Sequence, residues 1–201
     1  MSDFDSRAGR QAVLFDSKGQ RKYLNASERQ AFAQAVESCS DELRKAFCLT
    51  LYYTGCRISE GLRLTAERVD MSEKAVVFET LKRRKQRCFR AVPIPDELTS
   101  MLGTIIAGLA SPARLWSFSR PTAYRLVMEH MAQAGISGKM ASPKGLRHAF
   151  GIACIERGIP LTTVKKWLGH ARLETTAIYL DVMGREEREL AKRLWRAEEK
   201  P

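Results

Sequence analysis

Leu168-Gly169-His170-Ala171-Arg172-Leu173-Glu174-Thr175-Thr176-Ala177-Ile178-Tyr179 is the stretch around which the rest of the chain falls into place. Residues 161–168 carry helical spacing, and Gly169 ends that helix. His170 follows the break, and Tyr179 follows after eight intervening residues, across a helix or turn beginning near Glu174. Upstream lie Ser142-Pro143-Lys144-Gly145-Leu146-Arg147-His148-Ala149-Phe150 and, further back, Thr54-Gly55-Cys56-Arg57-Ile58-Ser59-Glu60. Two arginines, a histidine and a tyrosine are the groups needed to grip a phosphodiester and attack it with a phenol. A guanidinium fork orients phosphate oxygens through paired donors. Histidine can supply a hydrogen bond or a proton. A tyrosine hydroxyl can form a covalent ester and divide one displacement into two.

Composition agrees with an anionic partner. The 201 residues carry 34 Lys+Arg against 23 Asp+Glu, a net charge of +11. Such a balance favours a polyanion, either nucleic acid or an anionic membrane surface. No apolar run approaches the ~20 residues that span a bilayer, and Met1-Ser2-Asp3-Phe4-Asp5 lacks a signal-peptide pattern. Nucleic acid is favoured over a membrane, in a cytoplasmic setting, and charge alone leaves ribosomal proteins, repressors and nucleases all open. Five dispersed cysteines with no C-x-x-C pair suit a reducing compartment. The cysteines and three histidines show no zinc-ligand spacing.

The chain reads as α+β, mainly α-helical, with a small antiparallel sheet. Residues 1–23 form a polar, basic N-terminal arm, to be weighed against a plain disordered tail. Asn25 and Glu28 make a capping box for a helix to about Ser38, and Asp41 caps the next helix, which Gly55 ends. Arg57 then falls at the N-terminal end of a short helix, where free N–H groups also favour an anion. Residues 75–78 and 88–95 read as antiparallel strands around the basic turn Lys82-Arg83-Arg84-Lys85-Gln86-Arg87. Helices follow over about 95–109, 121–134 and 143–155. Residues 185–197 form a charged terminal helix with Leu190, Leu194 and Trp195 on one side. Tyr52, Tyr53 and Tyr124 are expected to pack, and His130 to lie at the surface.

These three motifs, in this order, resemble the catalytic domain of the tyrosine recombinases, the phage-integrase family. The resemblance runs from about Tyr23 to Val182, giving a catalytic domain over 24–183 and a C-terminal helix over 184–201. The chain resembles the short members, such as the fimbrial-switch recombinases, or a catalytic fragment. The resemblance implies double-stranded DNA as partner and a nucleoid-associated setting. It implies a single mainly helical domain with a small sheet that cleaves and rejoins DNA through a 3′-phosphotyrosyl intermediate. It implies no metal, ATP or other cofactor, and a homo-multimer on DNA, a tetramer. The terminal helix would dock on a neighbouring protomer or pack on its own domain.

On the same resemblance, Arg57 and Arg147 match the two phosphate-clamping arginines, Tyr179 the nucleophile and His170 a phosphate donor. Glu60 matches the supporting acidic residue, and His148 is a neighbour that orders its motif. Lys82, with Lys85 as competitor, matches the lysine that protonates the leaving 5′-oxygen. Arg83, Arg84, Lys85 and Arg87 are candidate DNA contacts. The chain departs from the family at Lys144, where a histidine usually stands three residues before the second arginine. Lysine can donate to phosphate but is not a neutral base at ordinary pKa. The rival readings are a non-catalytic DNA-binding regulator on this fold and a type IB topoisomerase.

Overall fold

The computed structural model describes residues 14–80, 88–109 and 113–180. Helix α1 (Ala26–Glu37) opens on a reciprocal capping box. The Asn25 side chain accepts the Glu28 N–H, and the Glu28 carboxylate accepts the Asn25 N–H. Helix α2 (Glu42–Thr54) is capped by Asp41 and ends at Gly55 in the left-handed conformation, φ 58°. That turn hands the chain to Cys56, Arg57 and the short helix α3 (Ile58–Gly61).

A three-stranded antiparallel sheet follows, β1 (Val69–Asp70), β2 (Ala75–Glu79) and β3 (Phe89–Pro93), in that order. The β2–β3 pair is the one expected from the sequence. β1 is too short to show alternation, so its pairing with Ala75 and Val76 emerges from the fold. Helices α4 (Asp96–Ala107), α5 (Arg120–Gln133), α6 (Pro143–Glu156), α7 (Leu161–Leu168) and α8 (Glu174–Ala177) complete the described elements. None of the described helices is long and apolar enough to cross a membrane.

Two apolar clusters meet at α6. One gathers Phe32, Phe47, Phe78, Leu102 and Trp116 from α1, α2, the sheet, α4 and the 113–119 segment, and includes Leu146 and Ala149 of α6. The other joins Phe150, Ile152 and Ile155 of α6 to Val164, Leu168, Ile178 and Tyr179. Helix α6 is consequently buried all round from Gly145 to Ile155, as expected for a helix with core on both sides. It carries Arg147 and His148 into the interior with it.

Residues 14–23, expected in the arm, turn back onto this second cluster. Leu14 and Tyr23 are buried in it, and Asp16 pairs with Lys139. His130, expected at the surface, is buried. It falls on the inward stripe of α5 with Ala123, Leu126, Val127 and Met131, edge-on to Phe32 and bonded to Gln133. Tyr124 sits one position off that stripe and is exposed instead of packed. Tyr52 and Tyr53 do pack against the first cluster.

Candidate functional site

Three chain breaks bring the motif residues together. Gly55 ends α2 just before Arg57, Ser142 caps α6 just before Arg147, and Gly169 ends α7 just before His170. The Ser142 hydroxyl accepts the Gly145 N–H at 3.0 Å, which fixes the first turn of α6. Lys144 lies in that turn and is exposed. A cation at a helix N-terminus opposes the macrodipole, so helix formation gives no reason for it to be there.

Arg147 is almost fully buried. One Nη donates to the Gly55 carbonyl and the other to the Leu168 carbonyl, each at 2.7 Å. It therefore joins the end of α2 to the end of α7. Burial, with Arg57 nearby, pushes its pKa down to about 10, which leaves it cationic at neutral pH. Arg57 donates to Glu60 at 2.7 Å and keeps a quarter of its side chain exposed. Glu60 also accepts the Arg57 backbone N–H, at 2.9 Å, and Arg90 at 2.6 Å. Burial alone would raise the Glu60 pKa, but the charge and hydrogen bond of Arg90, with Arg57, hold it below the usual carboxylate range.

Tyr179 is 1% exposed. Its hydroxyl lies 3.2 Å from Nδ1 of His148, and its ring stacks near His170, centroids 6.4 Å apart. Burial pushes the phenol up to about 12, while Arg147 and Arg57 pull it the other way. His170 pairs through Nδ1 with the Thr176 hydroxyl at 3.0 Å. Burial, then Arg147 and Arg57, push its pKa down to about 3, so it is neutral at physiological pH. If the Thr176 hydroxyl donates to Nδ1, the ring hydrogen sits on Nε2 and can be given to an anion. His148 is also held neutral, with burial, Lys144 and Arg147 lowering it to about 4. Its Nε2 is buried with no hydrogen-bond partner among the described residues.

Arg57 and His170 open onto a cleft of about 600 Å³, whose cationic lining also includes Arg90, Lys165, Lys166 and Arg172. Phe89 and Leu173 line it as well and are partly exposed. A cleft with this charge suits a phosphate backbone more than a neutral ligand. The interior groups Arg147, His148 and Tyr179 adjoin it through His170.

Six residues singled out in the sequence are thus grouped: Arg57, Glu60, Arg147, His148, His170 and Tyr179. Lys144 stands at the first turn of α6, close enough to bias His148 electrostatically. Lys82, Arg83, Arg84, Lys85, Arg87 and the 184–201 helix lie outside the described residues. Arg90, which the basic composition of residues 82–90 assigns to a solvated turn or a DNA contact, is instead buried on the inward face of β3 with Val92. Thr176 carried no site signal of its own in the sequence.

A model of the phage integrase family matches residues 22–185. The chain is 32% identical over 162 residues to a tyrosine recombinase of Thermosipho africanus, covering 77% of this chain and 55% of that protein. It is 34% identical over 151 residues to the tyrosine recombinase XerD of Neisseria meningitidis serogroup A, covering 69% and 50% respectively. The crystal structure of XerA recombinase superposes with a TM-score of 0.71 at 26% identity, over 85% of this chain and 64% of that one. The chain spans about half the length of the curated relatives it matches.

Proposed function

The chain belongs to the phage integrase family, and from that premise we propose that it is a tyrosine-type site-specific recombinase that cuts and rejoins double-stranded DNA. The observation that carries this reading is the grouping of Tyr179 with His170, Arg57 and Arg147 in one site, beside a cationic cleft. In the proposed reaction the Tyr179 oxygen attacks the scissile phosphorus. The Tyr179 O–P bond forms, the bond to the 5′-oxygen breaks, and the phenolic proton passes to the neutral His148 or to water. Arg57 and Arg147 neutralise the phosphate oxygens, and the neutral His170 donates a hydrogen bond. A lysine, Lys82 or Lys85, gives the proton to the leaving 5′-oxygen. A second 5′-hydroxyl then reverses the step on another strand. The phosphotyrosyl ester keeps the energy of the broken bond, so no energy source enters. A homo-tetramer on DNA would hold the exchanging strands.

Tyr179 rests enclosed and protonated, so attack requires its hydroxyl to leave His148 and reach the cleft. That closed state, with Lys144 in the place of a histidine, is also what favours the rival reading of a non-catalytic DNA-binding regulator. One experiment separates them. The full chain is incubated with a library of nicked duplexes with randomised cores, then denatured in detergent. The recombinase reading expects duplexes linked to the protein and none linked to Tyr179→Phe. No linkage by the wild type, or equal linkage by Tyr179→Phe, would overturn it.

A further inference from the structure

Arg90 stands in the middle of β3 with its charge turned inward, 6% exposed, while its neighbour Phe89 is 53% exposed. A strand that hides an arginine and exposes a phenylalanine inverts the usual alternation, so the arginine must be satisfied inside. It is satisfied in three directions. Nη2 donates to the Glu60 carboxylate at 2.6 Å, Nε to the Trp167 carbonyl at 2.7 Å, and Nη1 to the Thr80 hydroxyl at 3.2 Å. The face of the guanidinium lies over Phe78, 5.1 Å from its centroid.

Each contact leads to a different part of the candidate site. Glu60 is the carboxylate that holds the Arg57 side chain and backbone N–H. Trp167 offers one of the free carbonyls at the end of α7, and the next one, Leu168, accepts Arg147. Gly169 leaves room for the guanidinium, because a Cβ there would sit 3.0 Å from three Arg90 atoms, and His170 follows directly. Thr80 follows the end of β2, so its contact with Arg90 joins β2 to β3 beside the site. We propose that Arg90 is a positioning residue that holds Arg57, Arg147 and His170 in one geometry. Only a rigid fork can serve three acceptors in three directions, and a lysine has one donor centre.

The inference rests on the strand-transfer reading and deepens it. The test uses the full chain and a nicked duplex captured by the wild type, comparing Arg90→Lys with Arg90→Gln. In Arg90→Gln the buried Glu60 carboxylate keeps Arg57 as its cation, so this variant remains a probe should Arg90→Lys fail to fold. At saturating duplex, the rate of covalent linkage should fall about 10²-fold in both, the cost of a slight misplacement of reacting groups. The half-saturating duplex concentration should stay within about threefold. A general loss of folded protein would lower the amplitude of linkage and leave its rate unchanged, and that result would overturn positioning. Either variant linking within about threefold of the wild-type rate would overturn it too. A wild type that links to no duplex would instead remove the strand-transfer reading itself.

Discussion

The Tyr179 hydroxyl and Nδ1 of His148 lie 3.2 Å apart inside the fold, both residues buried. Each is the other's polar partner in a cluster otherwise made of Phe150, Ile152, Val164, Leu168 and Ile178. The contact holds the phenol protonated and away from the phosphate cleft. A neutral imidazole beside a phenol can also receive its proton. His148 thus lies next to the oxygen proposed to react, and Lys144, at the helix surface, does not.

Tyr179→Phe and His148→Phe should each destabilise the protein by about 1 kcal/mol, by leaving a buried polar atom unpaired. The double variant should be less destabilised than the sum, with a coupling of about 0.5–1.5 kcal/mol. Urea denaturation of the four proteins measures the cycle. Strict additivity would mean that the pair contributes no net interaction.

Acid should weaken the fold before it protonates most carboxylates. His148 is held down to about 4 and His170 to about 3 against an unfolded value near 6.5. Lys144, Arg147 and Lys22 face the first, and Arg147, Arg57, His148 and Arg90 the second. Both folded pKa values are depressed, so this stability is complete above about pH 6.5 and is lost as pH falls toward 4. The His148 share is about 3 kcal/mol. Urea midpoints measured from pH 7 to 4 should drop, and His148→Gln should flatten the curve. An unchanged slope in that variant would contradict the assignment.

Local signals and tertiary ones separate cleanly in this chain. The helix ends at Asn25, Asp41, Gly55, Ser142 and Gly169 follow from caps and left-handed turns, which act over a few residues. Arg57, Arg147 and His170 stood out because each follows such an end, and Tyr179 because it follows His170 at a spacing that a phosphate site can use. Arg90 is different, because its partners lie 10, 30 and 77 residues away. His130 similarly looked like a surface group until α5 was rotated to place its apolar stripe inward. The docking of Leu14 and Tyr23 depends on an acceptor cluster assembled from α6, α7 and α8.

DNA binding should be strongly salt-dependent, because phosphate contacts release condensed counterions. Lys165, Lys166 and Arg172 line the cleft without sharing the buried network around Tyr179. Lys165→Ala and Lys166→Ala should each reduce the slope of log affinity against log salt by about one. They should weaken binding to every duplex similarly, since a phosphate contact carries no base information. Filter binding or fluorescence anisotropy at several salt concentrations gives the slope. An unaltered slope would take that side of α7 out of the DNA interface.

Lys144 is exposed in the first turn of α6, three residues before Arg147, where its charge opposes the helix dipole. Replacement by a neutral residue should therefore stabilise the free protein by about 0.3–1 kcal/mol. It should also raise the pKa of His148, which Lys144 helps to depress. A residue kept against its local stability is expected to act on a ligand. Lys144→Ala should then slow covalent linkage by about 10²-fold, the usual loss when one donor to a developing oxyanion is removed. Lys144→His should retain most of the rate, because an imidazole restores a donor at the same position. Single-turnover linkage to a nicked duplex, read beside thermal unfolding, distinguishes the two effects. If Lys144→Ala links at the wild-type rate, the lysine has no part in the reaction and His148 stands alone beside the nucleophile.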